Sequence, residues 1–84
     1  MRPFHVFADG MKLIRHQQAD GSIMVGFNKG DVRVAEVELP TIKWKFHSVT
    51  SRDLMPYMGY FYANISKLSA PISAEEYEGD SFKL

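Results

Sequence analysis

Turn signals in the first half of this chain fall where they keep the apolar residues of successive strands on one face of a sheet. Asp9-Gly10 reads as a two-residue hairpin, because both central positions of such a turn favour positive φ. Pairing Ala8 with Met11 puts Val6 opposite Leu13 and Phe4 opposite Arg15. Phe4, Val6, Ala8, Met11 and Leu13 then share one face, and His5, Phe7, Lys12, Ile14 and His16 share the other. Ala19-Asp20-Gly21 predicts a three-residue loop with Gly21 in a left-handed bulge position. A two-residue loop there would turn Ile23, Val25 and Phe27 away from the core, since a one-residue slip flips every side chain.

Asn28-Lys29-Gly30-Asp31 reads as a four-residue turn pairing Phe27 with Val32, so that Val32 and Val34 continue the apolar face. The phase then breaks at Val37 and Leu39, which a bulge near Ala35-Glu36 repairs. Pro40-Thr41 is the next turn. Ile42, Trp44 and Phe46 alternate with Lys43, Lys45 and His47, so Trp44 is expected in the core. The pattern predicts five antiparallel strands in a meander, at about 4–8, 11–18, 22–27, 32–39 and 42–49. The sheet is either curled or closed into a small barrel.

The apolar face needs a cover. Leu54, Met58, Phe61, Ile65 and Leu68 form one stripe of a helix over Asp53–Ser69, with Met58 and Phe61 set against Trp44. Asp53 is the expected N-cap, which leaves Pro56 in the first turn; a start at Thr50 would bury Pro56 too deep. Pro71 ends the helix. The fold class is α+β: a five-stranded antiparallel meander, one C-terminal helix, then an acidic tail. Residues 1–72 form the single domain and 73–84 the tail.

The chain has 84 residues, no cysteine and a net charge of zero. Disulfide staples, thiol catalysis and thiolate metal sites are therefore excluded. No signal peptide and no apolar run of membrane-spanning length are apparent, so a cytoplasmic location without membrane contact is the default expectation. The charge is unevenly placed. Residues 1–72 carry nine Lys/Arg and six Asp/Glu, a balance of +3, and residues 73–84 carry one Lys and four acids, a balance of −3. The tail, with Tyr77 and Phe82 among its acids, reads either as a solvating terminus or as a short segment that folds onto a basic surface.

No catalytic, metal or phosphate-binding motif stands out. His5 and His16 share a face but lack a third ligand, and His47 lies on a distant strand. Ser48, Ser51, Asp53 and His47 cluster in sequence but not as a nucleophile with its base. No cofactor, no metal and no enzymatic activity are expected. Two functions from different classes remain. The first is a small binding protein that occupies a surface on another macromolecule, comparable in size and style to phage-type inhibitors or adaptors. Its expected contact residues are Phe7, Ile14, Met24, His5 and His16 on the outer face, with Tyr57 and Tyr60 on the helix. A homodimer through the uncharged strand 1 belongs to the same reading. The alternative is a single-stranded nucleic-acid binder using Lys12, Arg15, Arg33, Lys43 and Lys45, with the acidic tail as regulator. Cross-strand pairs Glu38–Lys43 and Glu36–Lys45 are expected to neutralise much of that patch.

Overall fold

The computed structural model describes residues 2–73. Five strands pair antiparallel in chain order: β1 (His5–Val6), β2 (Lys12–Gln17), β3 (Ile23–Lys29), β4 (Val32–Leu39) and β5 (Lys43–Phe46). The sheet is open, with β1 and β5 as its edges. A 3₁₀ turn over Arg52–Leu54 leads into α1 (Met55–Ala63), and α2 (Ile65–Ser69) follows. The expected tail, 73–84, lies outside the described residues from 74 onward.

The hairpin from β2 to β3 has the bulged three-residue loop that burial demands. Gly21 sits at φ 92, its N–H donates to the Gln18 carbonyl (2.9 Å), and Gln18 N–H donates to Ser22 (2.8 Å). Phe27, Val25 and Ile23 then face Leu13, Arg15 and Gln17 in register. All three are buried.

The first hairpin departs from expectation. His5 stands opposite Leu13 and Val6 opposite Lys12, so the loop is Ala8-Asp9-Gly10, with three residues and not two. Gly10 at φ 95 donates to Phe7 (2.9 Å), and the Asp9 carboxylate accepts the Met11 N–H (3.0 Å). The longer loop satisfies more backbone donors and turns β1 over. His5 and Phe7 therefore face the helices, while Val6 is 54% exposed.

The turn between β3 and β4 is tighter than predicted. Lys29 pairs with Val32 around Gly30-Asp31, and the bulge falls between Asn28↔Arg33 and Phe27↔Ala35. Val34 is the extra residue, so Val34 and Ala35 are both buried. Val32, at the hairpin tip, stays exposed and is no part of the core. Between β4 and β5 the expected register holds, with Glu38 opposite Lys43 and Glu36 opposite Lys45. Ile42 does not join the core. It occupies the left-handed region at φ 55, which takes it out of the strand and leaves it exposed. Trp44 is half-buried, its ring centroid 5.2 Å from Phe61 and 5.6 Å from Phe27, with the half-exposed Phe46 stacked on it.

Leu54, Phe61 and Leu68 are fully buried against the sheet. Their seven-residue steps keep one face inward although the helix is not continuous. Asn64, at φ −113, splits the expected single helix in two, and its side-chain amide donates to the Tyr60 carbonyl (2.9 Å). The helical segment begins earlier than Asp53. Thr50 N–H donates to the Asp53 carboxylate (2.9 Å) and Asp53 N–H donates to the Thr50 hydroxyl (3.3 Å), a reciprocal capping box. The intervening 3₁₀ turn removes the steric objection to that start, because Pro56 still falls in the first turn of α1.

Candidate functional site

The helices cover one face of the sheet. On the other face, the register lines up cross-strand rows. One row runs Ile14, Gly26, Glu36, Lys45; the next runs His16, Met24, Glu38, Lys43; a third runs Lys12, Asn28, Arg33. Ile14 and Met24 are half-buried at the centre of this surface, with charges of both signs around them. Met24, Glu36, Glu38, Lys43, Trp44 and Lys45 line a shallow groove of ≈ 360 Å³.

Arg33 is held flat across the sheet. A Cβ at Gly26 would come within 2.3 Å of its guanidinium carbon, so any side chain there would push the guanidinium from this position. The guanidinium donates to Asn28 Oδ1 and to Glu36 (3.4 Å), and Glu36 also lies 3.5 Å from His47 Nε2. Glu36 thus engages Arg33 and His47, not the Lys45 directly across from it. Sequence reasoning missed this network of Gly26, Asn28, Glu36 and His47. The available signal was a glycine in the middle of an apolar strand, which marks close approach by another group.

Of the expected contact residues, Ile14, Met24 and His16 share this open face. His5 and Phe7 do not, because the longer first loop sends them to the helix side. There His5 stacks on Tyr60 at 3.9 Å, and Phe7 meets Tyr57 and Tyr60 edge-on at 4.9 and 5.4 Å. Tyr57 also donates its hydroxyl to the Asp9 carboxylate. That hydrogen bond, with the one from Met11 N–H, holds the Asp9 carboxyl below its ordinary pKa and pushes the Tyr57 phenol above its own. These four rings fasten β1 and its loop to α1, so Tyr57 and Tyr60 belong with packing rather than with the open face. Strand 1, cut to two residues, is also not the long unguarded edge that a homodimer through it requires.

Among the basic candidates, Lys12, Arg33, Lys43 and Lys45 lie on the open face and Arg15 does not. Arg15 is only 5% exposed and sits among the core residues. Its Nη1 donates toward the carbonyls of Lys67 (3.0 Å), Leu68 (3.0 Å) and Ala70 (2.7 Å), closing the end of α2, and its guanidinium lies 5.0 Å from the Phe4 ring centroid. A cation at the carbonyl end of a helix is favourable, and burial strengthens it.

Among the described residues, no three His, Asp or Glu side chains cluster as a metal site. No described helix is long and apolar enough to cross a membrane. No known protein family matches this chain, nor does any curated protein or solved structure.

Proposed function

We propose that this chain is a small non-enzymatic binding protein that docks a partner protein on the open face of its sheet, as an inhibitor or adaptor. The observation that carries this reading is the face itself: Ile14 and Met24 at its centre, ringed by charges of both signs, with Arg33 fixed by Asn28, Glu36 and the gap at Gly26. A preset guanidinium loses little freedom on binding, and an apolar centre with a mixed polar rim is the anatomy of a protein interface. The groove at Glu36 and Glu38 is open to water and pairs no nucleophile with a base, which favours binding over catalysis.

The single-stranded nucleic-acid reading is the weaker one. It needs aromatic rings interleaved with cations on one surface. Phe7 and His5 are committed to the helix, and Arg15 to the core. Lys12, Arg33, Lys43 and Lys45 remain on the open face, and of the residues lining its groove the half-buried Trp44 alone carries a ring.

Capture from cell extract of the source organism tests the proposal. The unmodified chain and an exposed-site control, Val32→Asp, should both retain a protein that survives washing at about 0.5 M salt, where exposed charges are screened. Met24→Asp should lose it. Retention by Met24→Asp, or recovery only of nucleic acid that washes off with salt, rejects the reading.

A further inference from the structure

The β5 edge offers a second, separate surface. His47 N–H donates to Val34 (2.9 Å), and with the register this fixes which backbone groups of β5 face β4. Bonded pairs alternate along an antiparallel ladder, so Lys43, Lys45 and His47 bond inward, and the N–H and C=O groups of Trp44 and Phe46 point to the open side. The side chains alternate as well. Lys43, Lys45 and His47 lie on the open face of the sheet, and Trp44 and Phe46 lie on the helix side. A second β5 pairing here antiparallel sets Lys45 against a lysine or against His47 in each register that overlaps the strand. The edge calls for a strand with acids at every second position.

Residues 74–84 lie outside the described structure, and their sequence carries that complement. Glu76, Glu78 and Asp80 recur with period 2, with Tyr77 and Gly79 between them. We propose that residues 76–80 of a second copy of this chain add to β5 as an antiparallel sixth strand. Glu76 then stands opposite His47, Glu78 opposite Lys45 and Asp80 opposite Lys43. On the other face Tyr77 meets Phe46, and Gly79 leaves room over the ring of Trp44. Main-chain hydrogen bonds supply attachment and the alternating side chains supply specificity.

Reach decides between the chain's own tail and a partner's. Ile72 N–H donates to the Gln17 side chain (3.3 Å), at the end of the sheet where Gln17, Ile23 and Leu39 are level. A sixth strand lies four spacings of about 4.8 Å from β2, roughly 19 Å sideways. Antiparallel pairing starts Glu76 at the far end, beside His47, five residues or about 16 Å along the strand. The gap is therefore about 25 Å, and the four steps from Ile72 to Glu76 span at most about 14 Å. Even the length of the Gln17 side chain does not close it. The strand comes from a second copy.

This inference goes beyond the open-face reading and does not depend on it: Met24→Asp leaves the edge intact. A charge swap tests it on the full chain. Sedimentation at high micromolar concentration and low salt should show the unmodified protein as a dimer or larger assembly that weakens as salt rises. The edge variant Lys43→Glu/Lys45→Glu and the tail variant Glu76→Lys/Glu78→Lys/Asp80→Lys should each be monomeric. An equimolar mixture of the two should associate again, since each edge then finds a tail of opposite charge. The edge variant sets carboxylates opposite Glu36 and Glu38, so its circular dichroism is compared with that of the unmodified chain, and the glutamine variant carries the test if the fold is lost. The milder Lys43→Gln/Lys45→Gln should weaken association at least tenfold. Amide exchange at Trp44 and Phe46 should slow as protein concentration rises. A monomeric unmodified chain, a variant that still associates alone, a mixture that stays monomeric, or protection independent of concentration each overturns the proposal.

Discussion

The two hairpins that begin the sheet share a loop and differ in what the loop decides. Both loops read Ala-Asp-Gly, at 8–10 and 19–21. Both place glycine at nearly the same angle, φ 95 and 92, and both use the aspartate to accept the N–H two residues on, from Met11 and Ser22. The flanking strands differ. In the second hairpin the core face carries Leu13, Ile23, Val25 and Phe27 against only Ile14 and Met24 on the other, so burial and loop chemistry agree. In the first, Val6 competes with His5 and Phe7, and both faces could be called apolar. Loop chemistry, with the packing of His5 and Phe7 on Tyr57 and Tyr60, settles it. Where the strand pattern is ambiguous, the local hydrogen bonds of the turn and the packing beside it set the register.

The largest test of that contrast removes one residue from each loop. Deleting Ala19 forces Ile23, Val25 and Phe27 outward, at about 1.5–3 kcal/mol for each buried side chain. That total approaches the ~5–15 kcal/mol that holds a small domain together, so urea unfolding should lose its cooperative transition. Deleting Ala8 flips only the short β1 and should cost about 2 kcal/mol, mostly the packing of Phe7. Equal losses would break the comparison.

A smaller effect sharpens the first hairpin alone. Phe7→Ala should destabilise by about 2 kcal/mol, less than for a fully buried ring because Phe7 is only half-buried. Val6→Ala should cost under about 0.5 kcal/mol, as exposed substitutions do. The reverse order in denaturant titrations would mean that the two-residue register is the true one.

The smallest effect separates the two aspartates. Both carboxyls titrate below their ordinary value, Asp9 chiefly through the Tyr57 hydroxyl and Asp20 through Ser22. A lowered folded pKa contributes stability that is fully present above the unfolded value of about 3.9, and is lost as pH falls through the folded one. Tyr57→Phe should raise the Asp9 pKa toward normal and leave Asp20 unmoved, read from side-chain carboxyl shifts by NMR. The Tyr57 phenol has the opposite sign. Its pKa is raised above 10.0, so its contribution is present below that value and fades as pH climbs through the folded pKa.

Much of the architecture was legible in the amino-acid pattern. The five-strand meander, the bulge at Gly21, the pairing of Glu38 with Lys43 and the stripe of Leu54, Phe61 and Leu68 follow from period and turn chemistry. The errors have local causes. Asp9-Gly10 alone signals a two-residue turn, but the aspartate's own hydrogen bond recruits Ala8 into the loop. Thr50 looked wrong as a helix start because a 3₁₀ lead-in before Pro56 leaves no mark in the apolar period. Asn64 interrupts the helix without disturbing the stripe, so periodicity could not reveal the break. Half of the candidate site was readable, because Ile14, Met24 and His16 alternate outward. The rest was not. Arg33 across Gly26 is a long-side-chain contact, and Arg15 counted as surface charge because nothing near it in sequence supplies the carbonyls of α2.

That burial of Arg15 has a consequence for how the chain is made. The sheet is complete in sequence at Phe46, but the carbonyls that receive the Arg15 guanidinium arrive only with residues 67–70. At a synthesis rate of about 5–20 residues per second, the intervening 24 residues take roughly 1–5 s. During that interval the core face of β2 must keep a charged group in water. The core face of β2 therefore lacks these acceptors for Arg15 until residues 67–70 have been made.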